Sequence, residues 1–116
     1  MAYGSFEELE VWQRAKKLTV ELFGLFKDSR DFVLKDQILK AALSIPSNIA
    51  EGSERGSTAD YIRFLRIAKG SAGELRTQIY VAAEIGVNIP QKITKEIKEI
   101  SCMIQGLINS LQDPNR

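Results

Sequence analysis

The side chains able to act on another molecule cluster in the stretch SIPSNIAEGSERGS, residues 44–57. Ser44, Asn48 and Glu51 stand four and three residues apart, so a helix places them on one stripe. A hydroxyl, a carboxamide and a carboxylate in a row suit a polar network that sets the register of two helices. They also suit contact with a ligand or a nucleic acid. The stripe borders Ile45 and Ile49, which puts its polar groups partly out of water and in need of partners. Arg55, four residues beyond Glu51, and a cation on the following helix are the expected ones. Catalysis finds little support here, because no base of suitable type stands nearby in the sequence.

A second constellation lies further on. Ile62, Arg66, Lys69, Gly73, Arg76 and Tyr80 recur at helical spacing. Three cations on one stripe with an aromatic at its end can follow phosphates, with Tyr80 stacking on a base. The same stripe suits a solvated face or a subunit contact. Lys40 and Arg55 are further candidates for such a patch, depending on how the helices pack. The run GSERGS has glycine and serine as phosphate loops do, but it lacks their Gly-Lys-Ser/Thr ending and follows no strand. It reads as a turn between helices. In KGSAGEL, Gly70, Ser71 and Gly73 fall inside a helix, where each glycine costs about 1 kcal/mol relative to alanine. Close approach of another helix, within or between subunits, is the expected reason.

Composition removes other chemistry. The chain has no histidine and one cysteine, Cys102. A Ser-His-Asp triad, a His-paired cysteine, a His-ligated haem and the Glu-x-x-His pairs of di-iron bundles are therefore excluded. A zinc site is implausible, and no metal or cofactor is expected. One cysteine allows no internal disulfide, which fits a reducing compartment. Cys102, one residue off the last apolar seam, is expected to be a buried inert thiol. The net charge of +1 is not that of a dedicated nucleic-acid binder, although a local patch can serve. No apolar run approaches the roughly 18 residues of a membrane span. The start, MAYGSFEELE, lacks the charged-then-apolar pattern of a secretion signal. The expected location is the cytoplasm.

Four helical segments must position these residues in a single domain of 116 residues, with 113–116 as a frayed tail. The first opens on a Ser5-x-x-Glu8 capping box and carries Val11, Ala15, Leu18, Leu22 and Leu25, with Trp12, Phe23 and Phe26 widening the stripe. The second has Leu34, Ile38, Ala41, Ile45 and Ile49 in phase on both sides of Pro46. A phase that survives a proline predicts one helix kinked at Pro46 rather than two, with Ser44, Ser47 and Asn48 able to bond the backbone groups the proline frees. The third starts at an N-cap, Ser57, and runs through Tyr61, Leu65, Ala68, Ala72, Leu75, Ile79 and Ala82 to a C-cap at Gly86. The fourth follows Pro90 with Ile93, Ile97, Ile100, Ile104, Leu107 and Leu111. Short connections and near-3.5 periodicity predict an all-α, up-down-up-down antiparallel four-helix bundle. Ile62, Phe64 and Ile67 fall outside the core seam and suggest a homo-oligomer.

The stretches FEELEVWQRAKKL and QILKAALSIPSNIAEGSERGSTADYIRFLRIAKGSAGEL resemble the four-helix bundle proteins encoded in intervening sequences of bacterial 23S rRNA genes. The likeness runs from Phe6 to about Gly86, and SIPSNIAEG followed by FL-x-x-A-x-GS-x-x-EL is its most specific part. The resemblance implies a small bacterial protein, assembled as a homopentamer, with no established catalytic activity. It also implies kinship with the accessory variability determinant of diversity-generating retroelements, a basic pentameric barrel that binds nucleic acid and a reverse transcriptase. The shared pattern includes Gln37, Ser44, Asn48, Glu51, Gly52, Arg55, Phe64, Gly70, Ser71 and Glu74, and so adds Gln37 and Glu74 to the expected polar network. Where many relatives carry two basic residues after Gln-Ile, this chain has Leu39 and Lys40. The expected function is a non-enzymatic oligomeric accessory or scaffold protein associated with RNA or DNA. The alternative is a protein-interaction module whose apolar face takes a protein client.

Overall fold

A computed structural model describes residues 4–115. Helix α1 spans Glu10–Leu25, α2 Phe32–Glu54, α3 Thr58–Glu84 and α4 Gln91–Gln112. Each packs on the next and α1 packs on α4, so α1 and α3 occupy one diagonal of the bundle and α2 and α4 the other. The assembly measures 48 × 19 × 19 Å, the shape of an up-down-up-down antiparallel four-helix bundle. Among the described residues no helix is long and apolar enough to cross a membrane.

The entry to α1 differs from expectation. Residues Phe6–Glu8 form a 3₁₀ turn, and the Ser5 side chain caps no backbone group. Its proximity to Glu7, together with the local backbone, holds that carboxyl below its ordinary range instead. The helix proper begins two residues after Glu8, so the capping-box spacing never meets a helix end. The other caps follow the local chemistry. Asp31 accepts from the Leu34 N–H at 3.1 Å, and Ser57 from the Asp60 N–H at 3.1 Å. At the end of α3, Gly86 takes φ +97° and Val87 N–H reaches the Ala82 carbonyl at 3.0 Å, which turns Val87 back onto the core.

The core is one continuous cluster drawn from all four helices, in which a fully buried isoleucine or leucine contributes roughly 1.5–3 kcal/mol. The apolar phases hold with four exceptions, the first being Phe23, which is 48% exposed on the outer side of α1 and not part of its buried stripe. In α1, Phe26 is buried and Leu25 is 38% exposed, because the inward position after Leu22 falls four residues on. In α4, Ile108 takes the inward position expected of Leu107, which packs at the edge. Phe64 is buried on the α2 side of α3, not outside the core. It lies against Gly52, where an added methyl group would stand 2.7 Å from the Phe64 Cβ and 3.2 Å from the Tyr61 carbonyl oxygen. The close approach of two helices therefore falls at Gly52. Gly70 and Gly73 are exposed, with open space where their Cβ atoms would stand, so no contact within the subunit explains them.

Helix α2 passes through Pro46 unbroken. The proline leaves the Ala42 carbonyl without its helical donor. Neither Ser47 nor Asn48 supplies one. The Thr19 hydroxyl of α1, itself buried, lies 3.2 Å from the Ala42 oxygen and 2.8 Å from the Ala15 oxygen of its own helix. Beyond the core, α1 is tied to α4 by Arg14, whose Nε donates to Glu96 at 2.9 Å and whose second guanidinium nitrogen bonds both Glu96 and Glu99. These carboxylates hold the Arg14 pKa well above its usual value, and Arg14 in turn lowers that of Glu96. Lys92 and Glu21 add a second α4–α1 pair at 3.0 Å.

Candidate nucleic-acid interface

The cationic stripe of α3 faces α4. Its marker is Lys69, half-buried, whose Nζ donates to the Gln105 Oε1 of α4 at 2.7 Å. Gln105 is held in turn by its Nε2 donating to Asn109 at 2.9 Å. Arg66, Arg76 and Tyr80 follow along the same side of α3, with Arg66 exposed, Arg76 half-buried and the Tyr80 ring 46% exposed. Helix α4 extends the patch. Lys98 stands seven residues before Gln105 and so lies on the α3 side of its helix, and Lys95, three before that, adjoins it at the solvent edge of that face; both are exposed. The acids of α4 sit on its other side, where Glu96 and Glu99 hold Arg14. The α3/α4 face thus gathers Arg66, Lys69, Arg76, Lys95 and Lys98, and none of the five makes an ion pair among the described residues.

This charge separation is how a subunit of net charge +1 presents a basic surface. Lys95 and Lys98 were not among the expected site residues. The seven-residue offset of Lys98 from Gln105, with Lys95 one turn before Lys98, identifies their face only once Gln105 is known to meet Lys69. Cys102 also lies here, exposed and close to Lys98 and Gln105 along α4, contrary to its expected burial. It stands two residues from both Ile100 and Ile104, roughly half a turn round the helix from that buried seam, and so faces solvent.

The remaining candidates lie elsewhere. Lys40 is exposed on α2, the helix diagonal to α4. Arg55 is occupied within the subunit. Its guanidinium stands 3.7 Å from Asp60 and 4.0 Å from Glu51 and packs over the Phe64 ring at 5.2 Å. Arg63 covers the same ring at 4.5 Å and pairs with Asp60 at 3.5 Å.

A family model for the 23S rRNA-intervening sequence protein matches residues 7–109. The chain belongs to this family. A solved structure of similar fold is a protein of unknown function from the S23 ribosomal protein family of Bacteroides thetaiotaomicron. It is 25% identical, with a TM-score of 0.79, and the match covers 84% of this chain and 97% of that one. No curated protein matches the chain.

The polar stripe shared with the intervening-sequence proteins is only partly a network. Ser44 and Ser71 bond hydroxyl to hydroxyl across α2 and α3 at 2.8 Å, and the Asn48 Nδ2 donates to the Ser44 hydroxyl at 2.9 Å and to its carbonyl at 2.8 Å. The partner on α3 is thus a serine and not the expected cation. Glu51 reaches only Arg55, and Gln37 and Glu74 are exposed, without a place in the network.

Proposed function

We propose that this intervening-sequence protein is a non-enzymatic homo-oligomer, a pentamer, that binds RNA or DNA through the α3/α4 face. The observation that carries the reading is the gathering of Arg66, Lys69, Arg76, Lys95 and Lys98 on one surface, away from the acids of α4. Cyclic symmetry would repeat that surface around a ring, so many weak phosphate contacts act together on one polyanion. Tyr80, at the end of the patch, supplies an exposed ring for a base to stack on. Lys69 is pre-positioned by Gln105 and loses little freedom on binding. The family's link to 23S rRNA genes agrees with a nucleic-acid partner.

The test is binding of a labelled structured RNA across a series of salt concentrations, with subunit stoichiometry fixed by light scattering. Each phosphate neutralised steepens the log–log slope by roughly 0.7–0.9. The expected result is a slope of several units, abolished by alanine at Arg66, Lys69 and Arg76 without loss of helical signal. Unchanged affinity in that variant would remove the face from the reading. No binding at low salt would leave a protein client as the partner.

A further inference from the structure

We propose that subunits join head to tail, with the outer stripe of α1 of one copy seated in the α2/α3 groove of the next. This rests on the reading of the chain as a homo-oligomer and adds which surfaces meet. The groove has a volume of about 360 Å³ and is flanked by Val33 of α2 and by Val81 and Ile85 of α3. These three side chains are 77%, 47% and 60% exposed. Gln78 lies between the helices, its Oε1 shut off from water with no hydrogen-bond partner among the described residues. A buried acceptor left unpaired is unfavourable, so the groove suits an occupant that brings a donor as well as apolar surface.

Helix α1 and the turn after it carry such an occupant. Lys16, Val20, Phe23 and Lys27 follow one another at intervals of four, three and four residues along the outward side, and all are exposed. On α3 the groove line is Glu74, Gln78, Val81 and Ile85, at the same intervals. Both lines run about 16 Å at 1.5 Å per residue. Their charges complement each other. The α1 line ends in a lysine at each end. Asp31 lines one end of the groove, and Glu74, exposed one helical turn before Gln78 on α3, continues the groove line beyond the other. Laid in the same direction, Lys16 stands opposite Glu74, Val20 opposite Gln78, Phe23 opposite Val81, and Lys27 opposite Ile85 and beside Asp31.

Stripe and groove are different surfaces of one chain, so the contact is heterologous. Each copy offers a free stripe and a free groove until a ring closes. The α3/α4 face takes no part and stays open.

The test uses two surface variants and light scattering. Val20→Glu with Phe23→Glu spoils the stripe, and Val81→Glu with Ile85→Glu spoils the groove. The wild type is expected to be an oligomer and each variant a monomer with unchanged helical circular dichroism. An equimolar mixture is expected to give a particle of two subunits and nothing larger, because each variant keeps one intact surface. A monomeric wild type would overturn the oligomer reading itself. An oligomeric wild type whose variants stay assembled, or whose monomeric variants fail to pair on mixing, would overturn the assignment of surfaces alone. Should the glutamate variants unfold, Lys16→Glu with Lys27→Glu takes their place. Its weakened assembly should then recover with Glu74→Lys, and no recovery overturns the pairing.

Discussion

The Thr19 hydroxyl of α1 stands 3.2 Å from the Ala42 carbonyl oxygen of α2, in the place of the bond that Pro46 removes. A neighbouring helix thus offers that carbonyl a donor, shared with the Ala15 carbonyl at 2.8 Å. Thr19→Val keeps the shape and removes the donor, which leaves a buried carbonyl unpaired at a cost of about 1–3 kcal/mol. Pro46→Ala returns an N–H to Ala42, so the same valine should cost well under that in the alanine background. Urea unfolding of the four variants measures the coupling. Equal costs in both backgrounds would show that Thr19 is not what satisfies Ala42.

The helices and most of the core were legible in the residues because helical periodicity is a local property. Ile38, Ile45 and Ile49 declare one buried face whatever packs on it. Partnerships were not legible. The donor for Ala42 comes from α1, the partner of Ser44 from α3, and neither pairing leaves a trace in spacing along one helix. The candidate site shows the same division. The α3 cations could be read directly, whereas Lys95 and Lys98 join them only through the Lys69–Gln105 contact.

The glycines should respond in opposite directions. Gly52→Ala drives a methyl group into Phe64 and Tyr61, and overpacking of about 1–3 kcal/mol outweighs the roughly 1 kcal/mol that alanine adds to a helix. Gly70→Ala and Gly73→Ala meet open space and should stabilise the isolated subunit by up to about 1 kcal/mol each. Thermal unfolding of the three variants checks this. A loss of assembly in Gly70→Ala or Gly73→Ala, without loss of subunit stability, would place another chain against that glycine.

The Arg14 cluster predicts an acid-sensitive link between α1 and α4. Arg14 lowers the folded-state pKa of Glu96 below its unfolded value. Its contribution is therefore complete above the unfolded pKa and is lost as pH falls through the folded one. Glu96→Gln should cost about 1 kcal/mol near neutral pH, as expected of a well-formed but partly solvated pair, and almost nothing in acid. Urea midpoints of wild type and variant at two pH values give the comparison. A cost independent of pH would assign the loss to packing rather than charge.

Lys95 and Lys98 provide a separate check on the basic face. Alanine at either should reduce the salt slope of RNA binding by roughly 0.7–0.9 for each phosphate that the assembly then leaves unneutralised. Lys40→Ala, on the diagonal helix, should leave the slope unchanged. A larger effect from Lys40 than from Lys98 would move the binding surface to α2.

Cys102 is exposed, is the sole cysteine, and stands among these lysines. Thiol chemistry can therefore place a single fluorophore or spin label on the surface in question without altering any other residue. In a closed assembly every copy would carry the label at an equivalent point, so distances between labels would report the geometry of the ring. Quenching on addition of RNA would report which face the polymer crosses.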